Sequence, residues 1–259
     1  VFVRHASIAD TLLPTCLLGA RHGLRLRFVL KRELLADPCL DVAGHRIPNH
    51  FVARDGRDSE AETDAVRALT RDLGAGDGVL IYPEGTRFTA SKRRAALARL
   101  AEQDSRLLPL AERLRHVLPP RLGGALALLD GHTPADAVFM THRGLEGLAT
   151  IGDLWRGGLV GAVVRVHVWR VPRAEIPEDR EARVAWLFEQ WARVDAFVGE
   201  GAAAAETETV GDARGSAAYK REMLRVLQGA RSVRRTLALA GTDGAAAPRV
   251  QAYVASRQS

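Results

Sequence analysis

The apolar positions of this chain follow two periods that alternate along it. Leu24, Leu26, Phe28 and Leu30 alternate with Arg25, Arg27, Val29 and Lys31, which predicts a strand. Val1-Phe2-Val3 reads as the end of another strand. Gly78-Val79-Leu80-Ile81 reads as a short buried strand that Pro83, lacking an N–H, must stop. Ala137-Val138-Phe139-Met140 predicts a further buried strand, and Val164, Val166 and Val168, alternating with Arg165, His167 and Trp169, a half-buried one. Helical spacing fills the gaps. Asp10 lies just inside a helix through Leu12, Leu13, Cys16, Leu17 and Leu18, with Pro14 tolerated in its first turns. A short helix from Lys31 ends at Pro38. The capping box Ser59-Glu60-Ala61-Glu62 opens a helix whose inward face is Val66, Leu69 and Leu73, closed by Gly74. Ser91 is placed to cap a basic helix, Lys92 to Gln103; Gly123-Gly124 open one through Leu126, Leu128 and Leu129. Pro177 marks the start of a helix with Val184, Leu187, Phe188, Trp191 and Val194 on one face. Strands and helices interleaved in this way predict an α/β fold, a central mixed sheet flanked by helices.

At 259 residues the chain suits one sizeable domain with a tail. The domain is expected over residues 1–198. An Ala/Gly/Thr/Glu-rich linker follows over 199–216, then a basic amphipathic helix over 217–241, with Met223, Val226 and Leu227 against Lys220, Arg221, Arg225 and Arg231, and a disordered tail over 242–259. The net charge is +6, carried almost wholly by Arg. Such a balance fits anionic partners, but Arg is interleaved with acid throughout, which disfavours a nucleic-acid patch. Cys16 and Cys39 fit no metal-ligand or redox spacing and read as isolated thiols. No apolar run reaches the length of a transmembrane helix, and there is no signal peptide. The chain opens on Val1, which implies an alternative start codon or a missing N-terminal piece.

Two stretches carry the chemistry. Tyr82-Pro83-Glu84-Gly85-Thr86-Arg87 follows the central strand. Gly85 permits a sharp turn or close approach to a ligand, and Arg87 offers the planar donor fork suited to phosphate. Arg4-His5-Ala6-Ser7-Ile8-Ala9-Asp10 places a histidine and a carboxylate across a strand-to-helix turn. If the two face each other, the carboxylate keeps one ring nitrogen protonated and leaves the other free as a base.

Together these stretches resemble the glycerolipid acyltransferases of the lysophosphatidate acyltransferase type, whose first motif is N-H-x-x-x-x-D and whose third is a P-E-G-T-R-like block. The resemblance extends over about Val1 to Val198. Arg4 departs from the family's Asn. Gly44 to Arg54 resembles the second motif, with Arg54 at its basic position and Ala53 where an acidic residue is frequent. Val117-Leu118-Pro119-Pro120-Arg121 resembles the fourth, an apolar strand running into Pro.

The resemblance implies acyl transfer from acyl-CoA or acyl carrier protein to a hydroxyl of a lysophospholipid such as 1-acyl-glycerol-3-phosphate. It makes His5 the general base and Asp10 its orienter. Arg54 and Arg87 become phosphate ligands, with Glu84, Gly85 and Thr86 shaping their pocket, and Pro119, Pro120 and Arg121 the acyl-donor region. If the strands before Arg54 and Arg87 are neighbours, both guanidinium groups converge on one phosphate. No metal or resident cofactor is implied, and the protein is expected to lie peripherally on the cytoplasmic face of an anionic membrane. Two other readings stand beside this one: a thioesterase or lipase using His5 with water or Ser7, and a non-catalytic membrane-binding homologue.

Overall fold

The computed structural model describes residues 1–7, 9–36, 49–52, 59–130, 133–148, 151–158, 160, 162–205 and 250–254. The strands are β1 (Phe2–Val3), β2 (Arg25–Lys31), β3 (His50–Val52), β4 (Asp77–Leu80), β5 (Ala137–Arg143), β6 (Val164–Val171) and β7 (Val250–Val254). β2 pairs in parallel with β3 and β4; β1 pairs in parallel with β5; β6 is antiparallel to β5 and parallel to β7. A parallel bridge between Phe2 and Ile81 joins the two sets: Val3 N donates to Ile81 O at 3.0 Å and Ile81 N to Val1 O at 2.9 Å. The strand order is therefore β3-β2-β4-β1-β5-β6-β7, the expected mixed sheet.

The helices are α1 (Leu12–Pro14), α2 (Ser59–Ala68), α3 (Ala90–Gln103), α4 (Leu108–Glu112), α5 (Leu122–Asp130), α6 (Ile151–Trp155) and α7 (Arg180–Ala205). The segment expected to form one helix after Asp10 winds unevenly, as a 3-10 turn (Ala9–Thr11), α1 and a π-helical stretch (Thr15–Ala20). α2 ends at Ala68 instead of reaching Gly74. Arg27 of β2 explains the early end: Nη1 takes the carbonyls of Leu69 (3.0 Å) and Arg71 (2.8 Å), and Nη2 that of Asp72 (3.2 Å), so the last turn is bonded across to the sheet. α3 starts earlier than expected because Thr89, not Ser91, is its N-cap; the hydroxyl accepts Lys92 N at 3.1 Å. Asp179 caps α7 through Ala182 N at 2.8 Å. α7 runs past residue 198 to Ala205, since the run from Ala202 has the strongest helix propensity available. The tail expected to be disordered supplies β7, whose backbone bonds cover the edge of β6. The amphipathic helix expected over 217–241 lies outside the described residues.

Period two sends alternate strand residues to two buried clusters. Phe2, Val79, Ile81, Phe139, Trp169 and Val171 pack with α2, α5 and α7 on one face. Val3, Leu80, Met140, Val164 and Val166 pack with Leu17, Leu18, Leu145 and Leu148 on the other. Phe139 anchors the first cluster, stacked on Phe2 and Trp169 with centroids at 5.0 and 5.3 Å and edge-on to Trp186 at 5.7 Å. With both faces covered, only the strand ends remain for function. Among the described residues no helix is long and apolar enough to cross a membrane.

Candidate active site

β4, β1 and β5 run parallel, so their C-terminal ends share one edge of the sheet. The chain delivers Tyr82–Arg87, His5 and His142 there, where open α/β sheets place their ligands. A cavity of about 520 Å³ opens at the opposite strand ends, among Val1, Gly78, Leu129, Asp136 and Ile176; it contains none of the expected site residues.

Asp10 is fully buried, and the turn before it closes on its carboxylate. Ala6 N and Ser7 N donate to Oδ2 at 2.6 and 2.7 Å. His5 Nδ1 lies 3.2 Å from Oδ1 and 3.4 Å from Oδ2. The five-residue spacing is thus the length of a turn whose amides fix the acid beneath the ring. A carboxylate can only accept, so Nδ1 carries the proton and Nε2 is the free base. The His5 side chain is 16% exposed, so the ring is not sealed from solvent as Asp10 is. Its ring packs against Tyr82 at 4.9 Å. Burial works against the charged form of Asp10, but hydrogen bonds from His142 and His5 outweigh it and hold the carboxyl well below the usual range.

Glu84 is placed differently from the phosphate pocket that the resemblance implies. It is 2% exposed, and both oxygens are taken: Oε1 by His5 N at 2.9 Å, Oε2 by Leu118 N at 3.0 Å. It is a strut between the base and the segment at Val117–Arg121. Burial pushes its carboxyl up to about 7, against the two amides and the charge of Arg4.

That segment is not the expected strand. Pro119 and Pro120 have no N–H for a ladder, and the chain is held by side chains instead. Asp195 Oδ1 accepts from His116 N and from Val117 N (3.0 Å); Trp191 Nε1 donates to Leu118 O at 3.0 Å; Arg121 N donates to Pro83 O at 2.9 Å. Val117, Leu118, Pro119 and Pro120 are buried, and Arg121 is exposed. α7 therefore fixes the proline segment from behind while Glu84 ties it to His5.

Gly85 has φ +66, and a Cβ there would lie 3.0 Å from Arg121 Nε. Glycine is needed both for the left-handed turn and for the guanidinium lying over it. Arg121, expected beside the acyl donor, thus meets the third motif. Lys92 Nζ donates to Thr86 Oγ1 (3.0 Å) and Arg87 O (3.2 Å). Lys92 lies in the first turn of α3 and Arg121 lies against Gly85, so both cations adjoin the Gly85-Thr86-Arg87 turn.

Arg4 turns inward. It is 2% exposed, and Nη1 donates to the His142 carbonyl and to Glu146 Oε1 at 2.7 Å, so its charge is spent inside the domain. Ser7 is fully buried; Oγ donates to Leu148 O at 2.9 Å and accepts Ala9 N at 3.0 Å. Arg54 lies outside the described residues, as do His45 and Cys39. β3, the strand before Arg54, is separated from β4 by β2, so the strands leading to Arg54 and Arg87 are not neighbours. Reading the sequence assigned His142 and Asp195 no role, and placed Trp191 only on an apolar helix face and Lys92 only at the start of a basic helix. A carboxylate on an apolar helix face was the one signal that could have marked Asp195.

The geometry agrees with what comparison finds. Residues 1–123 match the family model described as Acyltransferase. The chain is 26% identical over 200 residues to 1-acyl-sn-glycerol-3-phosphate acyltransferase epsilon of Mus musculus, covering 72% of this chain and 53% of that protein. It is 32% identical over 121 residues to 1-acyl-sn-glycerol-3-phosphate acyltransferase delta of Homo sapiens, covering 46% of this chain and 30% of that protein, and equally to the Pongo abelii delta protein. The chain thus spans about half, or less, of the curated relatives it matches. No solved structure matches it. The matched residues include His5, Asp10 and Tyr82–Arg87, so the part of the chain that carries the candidate site is similar to the glycerolipid acyltransferases.

Proposed function

We propose that the protein transfers a fatty acyl group from an acyl thioester, acyl-CoA or acyl carrier protein, to a hydroxyl of a lysophospholipid such as 1-acyl-glycerol-3-phosphate. His5 Nε2 removes the hydroxyl proton as the oxygen attacks the thioester carbonyl. The tetrahedral intermediate collapses to the ester, and the departing thiolate takes the proton back from His5. Asp10 holds the ring and balances its transient charge. Arg87, with Thr86, Lys92 and Arg121, receives the acceptor phosphate, and Arg54 is a further phosphate ligand on the resemblance of its segment to the second motif. The observation that carries this reading is the His5–Asp10 pair, with the acid buried under two amides and the ring open at the sheet edge.

An acyl-enzyme on Ser7 is disfavoured, because its hydroxyl is buried and already engaged on both sides. The exposed apolar side chains Leu12, Trp155, Val160 and Val163 all lie in segments that follow β1 or precede β6 on the site edge. This supports a peripheral seat on the cytoplasmic face of an anionic membrane, with the site facing the lipid.

The test is a radiolabelled acyl-CoA assay over a panel of lysolipids, with products identified, for native protein and His5→Ala. Acylated lysolipid from the native protein, and a loss of about 10²–10⁴-fold in the variant, are expected. Near-native rates in a well-folded His5→Ala protein, or hydrolysis indifferent to acceptor, would overturn the proposal.

A further inference from the structure

Asp10 serves a second histidine. His142, near the end of β5, is fully buried, with Nε2 3.3 Å from the Arg4 carbonyl oxygen and 3.5 Å from Asp10 Oδ2. Both neighbours only accept, so the proton sits on Nε2. Nδ1 is buried and meets no hydrogen-bond partner among the described residues, which is tolerable for a bare lone pair and costly for a second N–H.

Resting on the reading of His5 as the base, we infer that His142 is a positioning residue whose Nε2–H shares the Asp10 carboxylate with His5 and thereby sets the orientation of the catalytic ring. Asp10 has two oxygens and four donors around them: Ala6 N, Ser7 N, His5 Nδ1 and His142 Nε2. The two amides hold Oδ2 in the plane of the turn. His142 approaches that same oxygen from β5, so the carboxylate cannot swing away from His5 without leaving it. Take His142 away, and the carboxylate is free to turn from His5 Nδ1, so the ring loses the orientation that aims Nε2 at the acceptor hydroxyl. The other groups packed here are the Arg4–Glu146 ion pair, Glu84 at the His5 amide and Tyr82 against the His5 ring, with Val166 opposite His142 on β6.

Two variants separate positioning from packing. In His142→Gln the amide N–H reaches the place of Nε2–H; in His142→Asn it falls short, at the place of Nδ1. Steady-state kinetics over pH, with acceptor and acyl-CoA varied in turn, should show His142→Asn losing about tenfold in kcat with little change in either KM. His142→Gln should recover most of that loss. Nitrogen-15 spectra of the histidine rings in unaltered protein provide a readout without turnover: His142 protonated at Nε2, His5 at Nδ1. Profiles for the Asn and Gln variants that coincide with each other, or His142 protonated at Nδ1, would overturn the inference while an inactive His5→Ala left the base assignment standing. An active His5→Ala would overturn both.

Discussion

Glu84→Gln isolates the strut between the base and the proline segment. In the native protein both carboxyl oxygens accept amides, from His5 and Leu118, in a site almost closed to water. Burial raises the carboxyl from its ordinary 4.5 to about 7. The folded protein therefore binds this proton more tightly than the unfolded chain does. The stabilisation is fully present below pH 4.5 and is lost as pH rises through 7. The swing is roughly 3 kcal/mol, or about 6–12 °C in Tm for a domain of this size. Gln keeps the shape and does not titrate, but its NH2 edge, unlike the hydroxyl oxygen of the protonated acid, cannot accept, so one of the two amides loses its acceptor at every pH. Denaturant unfolding of both proteins between pH 4.5 and 8 should show the variant less stable at the acid end by about 1–3 kcal/mol, the cost of the amide left without an acceptor. The difference should then move by roughly 3 kcal/mol in favour of the variant as pH rises. Asp10, whose depressed carboxyl acts with the opposite sign and loses its stabilisation as pH falls, is present in both proteins and drops out of the difference. Parallel stability curves would refute the claim that Glu84 titrates in this window. Glu84→Ala is the harsher change: it strands two buried amides at about 1–3 kcal/mol each.

Three further outcomes follow from the same geometry. Asp10→Asn keeps an oxygen for Ala6 N and Ser7 N but turns an amide donor toward His5, inverting the ring tautomer; kcat should fall by about 10³–10⁴-fold with the fold retained by circular dichroism, and a loss under tenfold would contradict the orienter role. Arg87→Lys keeps the charge but loses the fork, so the acceptor KM should rise about tenfold or more while that for acyl-CoA is unchanged; an acyl-CoA-selective defect would reassign the site to coenzyme A phosphates. Asp195→Ala, far along the chain from His5, should lower Tm by several degrees and reduce kcat, because it frees the amides of His116 and Val117 and loosens the segment that Glu84 ties to the base; unchanged kcat would show that the α7 contact does not reach the site.

Much of this protein was legible before any coordinates. Period-two stretches marked β2, β4, β5 and β6 because a strand buried on one or both faces must alternate or run apolar, whatever lies beyond it. The His5–Asp10 relation was legible for the same local reason: five residues span one turn, and its amides and carboxylate are all within it. Gly85 was legible because a left-handed turn asks for glycine wherever it occurs. What the chain could not declare locally were relations between distant segments. The α2 end depends on Arg27, some forty residues away on β2. The stretch at Val117–Arg121 looks like a strand until its proline gaps are met by Asp195 and Trp191 from α7. Glu84 reads as one wall of a phosphate pocket because it adjoins Gly85-Thr86-Arg87; only the tertiary structure buries it and gives both its oxygens to amides. His142, in a buried strand, resembles any core residue until parallel pairing of β1 and β5 brings it to Asp10. Local chemistry is written within a turn or a strand, whereas burial and partnership are set by which strand ends the sheet gathers on one edge.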